Sequence, residues 1–182
     1  MKRGKKKTIL ITVCFLAVVM VVLTVIADHQ VLLFRDKTDW PVGGRYSWHI
    51  SWCMNNYNYP RKNHRHQGVD INLGLGNADL GAPVYATHDG TVNRVRTYKD
   101  GNGGGNRVRI ASVDGKIATY YMHLDSITVN VGDKITKGAQ IGTLGGSGNG
   151  KRRHYAPHLH YEVFMDGKHV NPVQNGNLVK LK

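Results

Sequence analysis

After its first 27 residues the chain shows short stretches of alternating apolar and polar positions and no amphipathic helix of useful length. Pro83-Val84-Tyr85-Ala86-Thr87 leads into Asp89-Gly90, and Thr91-Val92-Asn93-Arg94-Val95-Arg96 follows. Val108, Ile110 and Ser112 alternate up to Asp114-Gly115, a strong hairpin signal. Beyond that turn Ile117, Thr119, Tyr121 and His123 fall on one face of an extended strand. Val131 to Lys134 and Ile141 to Leu144 add short pieces, and His158 to Met165 ends at Asp166-Gly167. Short strands separated by Asp-Gly turns, in a chain with 22 glycines, predict an all-β fold. The expected architecture is an antiparallel β-sheet domain of two sandwich-like layers.

The N-terminus follows a different pattern. Lys2, Arg3, Lys5, Lys6 and Lys7 precede an uncharged run from Thr8 to Ala27. At about 1.5 Å per helical residue, twenty residues cross the roughly 30 Å hydrocarbon core of a bilayer. The predicted organisation is a basic cytoplasmic stub (1–7), a transmembrane signal anchor (8–27), a tether (28–39) and a folded domain (40–182). The flanking cations favour a cytoplasmic N-terminus, with the domain outside the cell membrane. Val25-Ile26-Ala27 also permits a cleaved signal peptide, although the apolar run exceeds the usual length of about 7–15 residues.

That division changes the meaning of the charge. Five of the 25 Lys and Arg lie in the stub, which leaves 20 basic against 12 acidic residues, a net +8 for the rest. For an exported chain such a surface suits anionic wall polymers or lipid headgroups, or is simply a solvated face, and charge alone does not choose; no nucleic-acid partner is expected. Cys14 falls within the apolar run, so Cys53 is the one thiol of the exported part and cannot form an internal disulfide. Glycine-rich 101–105 and 145–150 read as mobile loops. Neither is followed by the Lys-Ser/Thr of a phosphate-binding loop.

Candidate chemistry lies in His66-Gln-Gly-Val-Asp70, Tyr121-Met-His123-Leu and Pro157-His158-Leu159-His160. His158 and His160 share a strand face while Leu159 turns away, and in an extended segment His66 and Asp70 also face the same way. Each motif alone is weak, since His64 and His66 form a second His-x-His. Together they offer zinc three ligands, His66, Asp70 and His160, with a fourth position for water, whose pKa the metal lowers to about 7. There is one glutamate, Glu162, and no His-Glu-x-x-His, so a histidine is the natural general base. His123 and His158 remain for that work. Glu162, two residues past His160, is placed to orient an imidazole.

In order and together these segments resemble the lysostaphin/LytM-type zinc metallopeptidases, which cut peptide bonds in bacterial peptidoglycan. The resemblance runs from about Gly44 to Pro172. It includes His66-x-Gly68-x-Asp70, Gly81-Ala-Pro-Val-Tyr-Ala, Asp89-Gly-Thr-Val, Tyr121-x-His123-Leu, Gly132-x-x-Ile-x-x-Gly138-x-x-Ile-Gly142 and Pro157-His-Leu-His-Tyr-Glu-Val. It implies an antiparallel β domain with the metal in a groove. It also implies one Zn2+ on His66, Asp70 and His160, with His123 and His158 as catalytic base and transition-state stabiliser. The chain departs from the family in the segment from Gly145 to Pro157, which is longer and basic (Lys151, Arg152, Arg153, His154) and predicts an altered substrate preference.

The resulting expectation is a membrane-anchored zinc endopeptidase acting on peptidoglycan peptides. The alternative is a non-cleaving wall-binding scaffold of the same fold, which the complete ligand and histidine set argues against. His64 is a surface histidine or a substitute ligand. His29, His49, His88, His154 and His169 read as solvent-facing or structural. Tyr121 either lines the groove or packs. Trp48, Trp52, Tyr57 and Tyr59 form an aromatic segment that either grips substrate or packs on the domain.

Overall fold

The computed structural model describes residues 40–42, 57–74, 77–174, 177, 178 and 181, together with Met20. The chain divides into Met1–Asp36 and Lys37–Lys182, and the second unit holds the elements below. Apart from Met20, the expected membrane span lies outside the described residues, as do Cys53, Trp48 and Trp52. No helix among the described residues is long and apolar enough to cross a membrane.

Twelve short strands form three antiparallel sheets among the described residues. In chain order they are β1 (Val69–Ile71), β2 (Pro83–Tyr85), β3 (Gly90–Arg96), β4 (Asn106–Ala111), β5 (Ile117–Leu124), β6 (Ser126–Ile127), β7 (Lys134–Ile135), β8 (Gln140–Thr143), β9 (Leu159–Met165), β10 (Lys168–Val170), β11 (Val173–Gln174) and β12 (Asn177–Leu178). The main sheet runs β1-β9-β5-β4-β3-β7, with β10 also pairing β9. A second sheet runs β2-β8-β6, and β11 and β12 form a small ribbon. The all-β antiparallel expectation holds.

Alternation explains the layering. Val108 and Ile110 of β4, and Leu159, Tyr161 and Val163 of β9, are buried together with Val84 and Ile141 of the second sheet in one cluster. The opposite face of the main sheet carries His160, Asp70 and Met122, which line a groove. Tyr121 and Tyr161 bring their hydroxyls into the core, and Thr87 Oγ1 bonds both, at 2.9 and 2.8 Å. Tyr121 is therefore a packed tyrosine and does not line the groove.

Two Asp-Gly signals form hairpins. Ser112 and Ile117 close the β4–β5 turn, and Asp166 and Gly167 take φ of 49° and 76° at the β9–β10 turn, as a tight two-residue hairpin demands. Asp89-Gly90 does not, because β2 and β3 belong to different sheets. The two glycine-rich segments, expected as mobile loops, are bonded to each other through Asn149 N–H and the Asn102 carbonyl at 2.9 Å.

At Gly68 a Cβ would collide with the Tyr161 carbonyl oxygen, so the chain between His66 and Asp70 lies closer to β9 than any side chain permits. Gly68→Ala is expected to destabilise the domain by about 1–3 kcal/mol, as overpacking does. Urea unfolding checks this, and an unchanged midpoint would show that the backbone yields there freely.

Candidate active site

The first two ligand candidates are placed by one cross-strand pair. Asp70 on β1 lies directly opposite His160 on β9, while Val69 and Ile71 turn into the core. His66, four residues before Asp70, returns to the same point. Three distances close the triangle: His66 Nε2 to Asp70 Oδ1 is 3.1 Å, His66 Nε2 to His160 Nδ1 is 2.9 Å, and His160 Nδ1 to Asp70 Oδ1 is 2.9 Å. The side chains are 5%, 10% and 12% exposed, so the cluster is shielded yet open on one side.

The donor set fits zinc. Zinc lies about 2.0–2.2 Å from such nitrogens and oxygens, which separates tetrahedral ligands by roughly 3.4 Å. The triangle needs to open by only about 0.3–0.5 Å to meet that value. Two imidazoles and one carboxylate leave the fourth corner for water or substrate, as in hydrolytic zinc sites.

Charge on the donors is set by their neighbours. Burial would push Asp70 up, but hydrogen bonds from His160 and His66 outweigh it and hold the carboxyl well below its ordinary range. Burial would push His160 down, yet its bonds to Asp70 and Glu162 raise it to about 9. Glu162 Oε1 lies 3.0 Å from His160 Nε2, and Glu162 Oε2 lies 3.1 Å from His169 Nε2. Glu162 thus orients the ring that presents Nδ1 to the site, as outer carboxylates do in metal centres.

His123 arrives by a departure from strand geometry. Val108 pairs Tyr121 and Asn106 pairs Leu124, so β5 holds one extra residue over that span. Within this bulge His123 has φ of 63°, a left-handed conformation rare outside glycine. Strict alternation would send His123 to the core beside Tyr121. The bulge instead turns it into the groove, with its ring centroid 4.7 Å from that of His158 and 6.0 Å from that of His160.

Backbone carbonyls fix both remaining histidines. His123 Nδ1 donates to the Ser147 carbonyl at 2.8 Å, and His158 Nδ1 to the Ala156 carbonyl at 2.8 Å. Each ring keeps Nε2 as its second site, and His158 Nε2 lies 3.9 Å from Asp70 Oδ1. Burial, and then the neighbouring His158, lower His123 to about 3, so its ring is neutral at pH 7.

The groove, of about 660 Å³, is lined by these five residues together with Arg61, His64, Gly103, Gly104 and Tyr155, among others. His64 lies at the groove but outside the donor triangle. Sequence reasoning overlooked Arg61 and Tyr155 as neighbours of the site and read His169 only as solvent-facing or structural. Arg61 Nη2 bonds Asp70 Oδ2 at 3.0 Å, Tyr155 stands edge-on to His123 at 4.7 Å, and His169 lies behind Glu162. The Asp166-Gly167 hairpin register, which pairs His169 with Phe164, would have placed His169 beside Glu162. Arg61 and Tyr155 sit in irregular segments that carry no comparable signal.

An antiparallel sheet that gathers a His-Asp-His triangle with two further histidines in an open groove is the architecture of a zinc metallopeptidase. Residues 64–172 match the family model for peptidase family M23, and the chain belongs to that family. It is 39% identical over 107 residues to peptidoglycan DD-endopeptidase ShyC of Vibrio cholerae, covering 59% of this chain and 22% of that relative. It is 34% identical over 110 residues to glycyl-glycine endopeptidase ALE-1 of Staphylococcus capitis, covering 60% and 27%. The chain thus spans about a quarter of the length of these relatives.

Among solved structures, a zinc-containing peptidase from Vibrio cholerae matches with a TM-score of 0.58 and 30% identity, covering 74% of this chain and 38% of that one. The lysostaphin catalytic domain of Staphylococcus simulans matches at 0.52 and 31%, covering 64% and 85%. Zn2+ is the cofactor that this site and family take.

Because His160 is protonated in the metal-free site up to about pH 9, zinc uptake at pH 7.5 should release about one proton from His160 beyond those from zinc-bound water, a share that falls as the pH rises through 9. Titration in weakly buffered solution across that range reads the decline. Glu162→Gln should weaken zinc binding about 10–100-fold, measured by competition with a chelator.

Proposed function

We propose that this chain is a zinc metalloendopeptidase that hydrolyses peptide bonds of bacterial peptidoglycan while anchored to the outer face of the cytoplasmic membrane. The observation that carries the reading is the convergence of His66, Asp70 and His160 within 3.1 Å, beside two histidines held by backbone carbonyls. Family membership and relatives named as peptidoglycan and glycyl-glycine endopeptidases support the substrate class.

When bound, zinc supplies Lewis acidity and lowers the pKa of water. The rest of the chemistry belongs to the chain. His66, Asp70 and His160 hold the ion. Because His123 Nδ1 donates to Ser147, His123 Nε2 is the base position that takes a proton from the attacking water. His158, with Nδ1–H committed to the Ala156 carbonyl, directs Nε2 into the groove, where as an imidazolium it donates to the oxygen on which negative charge develops. Tyr155 and the Gly103–Gly104 wall bound the space left for the peptide. A non-cleaving scaffold would have no use for two histidines with fixed tautomers beside the ligands.

The anchor rests on five cations followed by twenty uncharged residues at the N-terminus. Detergent, and not salt, is expected to extract the protein from membranes, with the domain open to protease from outside the cell. Release by salt alone would remove the anchor from this reading.

The full-length protein should digest peptidoglycan sacculi, releasing new amino groups, and chelation should stop it. His123→Ala should keep zinc and lose about 10²–10⁴-fold in turnover. Sacculi left intact by the zinc-loaded parent, or digested equally by His123→Ala, would reject the assignment.

A further inference from the structure

The sheet face that bears the groove extends past it. On β4 the alternation that buries Val108 and Ile110 turns Arg107 and Arg109 to the opposite face. Pairing across the strands sets Arg94 opposite Arg109, Arg109 opposite Tyr120, and Tyr120 opposite Glu162. The metal row is Asp70, His160 and Met122. Because Glu162 follows His160 by two residues, the two rows lie on one face about 6.6–6.8 Å apart. Arg107 reaches the metal row itself: a Cβ on Gly104, in the groove wall, would lie 3.0 Å from both Arg107 Nη1 and Met122 Sδ.

These arginines are held without being neutralised. Arg107 Cζ lies 5.9 Å from the Tyr120 ring centroid, and Arg109 Cζ lies 5.7 Å from Tyr120 and 5.5 Å from Phe164. Arg94 Nη1 donates to the Tyr120 hydroxyl at 3.3 Å. A guanidinium over a ring keeps its N–H edge for a planar anion. Among the described residues none of the three forms an ion pair, whereas Arg61, Arg96 and Arg152 each do. Arg107 Nε is buried with no hydrogen-bond partner, a state that native structures seldom leave unexplained. Glu162 is already committed to His160 and His169.

We infer that Arg94, Arg107 and Arg109 form a subsite for carboxylates of the peptide substrate, so that the protein selects cross-linked peptides bearing free carboxylates over their carboxamides. The inference rests on the peptidase reading of the groove. An occupant of the groove has only one pleat repeat to cross before meeting the arginine row. The forked donors match a carboxylate in two parallel bonds. A neutral peptide would leave three cations facing one surface unanswered.

The test uses two cross-linked peptidoglycan peptides that differ only in free carboxylate against carboxamide. Binding to full-length His123→Ala is measured by titration, with no dependence on turnover. The free acid should bind about tenfold more tightly, an advantage that shrinks as salt is raised. Arg94→Gln and Arg109→Gln should each reduce that ratio to below about threefold, with Arg109→Lys in between. Because Arg109 packs on two rings, unfolding midpoints accompany each variant, and the more exposed Arg94 gives a second, independent reading.

Equal affinity for the two peptides, no measurable binding of either, or a preference that survives both glutamine variants overturns the inference. So does arginine-dependent binding of a polyphosphodiester wall polymer without discrimination between the peptides. If the carboxylate preference holds while the zinc-loaded parent leaves sacculi intact, the arginine subsite stands and the peptidase reading falls.

Discussion

Asp70 and His160 face each other across adjacent antiparallel strands, and the remaining chemistry is arranged around that pair. A slip of one residue in the β1–β9 register would exchange the two faces, sending Asp70 inward and Val69 and Ile71 toward the groove. The register is held because Val69, Ile71, Leu159 and Tyr161 all enter one core, so any slip exposes apolar surface and buries charge. Gly68 permits the close approach of the two chains just before the pair. The ligand site is in this sense a by-product of strand alternation with one glycine in the right place.

His123 obeys a different rule. His123 reaches the groove only because β5 carries an extra residue and a left-handed φ at that position. Its backbone N–H donates to the Gly104 carbonyl and its carbonyl accepts from Ser147 N–H, so the two glycine-rich loops hold the unusual conformation. Those loops approach one another closely: a Cβ on Gly105 would collide with the Ser147 carbonyl oxygen. The basic segment between Gly145 and Pro157 is tied down by Arg152, whose Nε and Nη2 reach Asp125 at 3.0 and 2.9 Å. One surface of one sheet thus carries the His-Asp-His triangle, the bulged histidine and the arginine row on the same rigid support.

Much of this was legible in the chain. His158-Leu159-His160 displays its alternation openly, and Leu159 is fully buried as that pattern requires. The two hairpins announced themselves through Asp114-Gly115 and Asp166-Gly167, because φ > 0 turns favour few residue types. Glu162 could be assigned to His160 from spacing alone. Tyr121 could not be placed, since a period of two groups it with His123 and says nothing of a bulge between them. Arg61 and Tyr155 were equally hidden. Irregular segments have no period, and their positions depend on backbone bonds such as those between Tyr59 and His66 or between Gly146 and Tyr155.

By itself, then, the amino-acid sequence determined the all-β character, the candidate zinc ligands and the family, because strand period, turn chemistry and a motif set in fixed order are local properties of the chain. Tertiary structure decided which side of the sheet His123 occupies, which carbonyls set the tautomers of His123 and His158, and that Arg94, Arg107 and Arg109 stand beside the metal row. Those facts depend on pairing between strands distant in sequence. Register across a sheet follows from the burial of the whole core, and no short stretch of residues contains it.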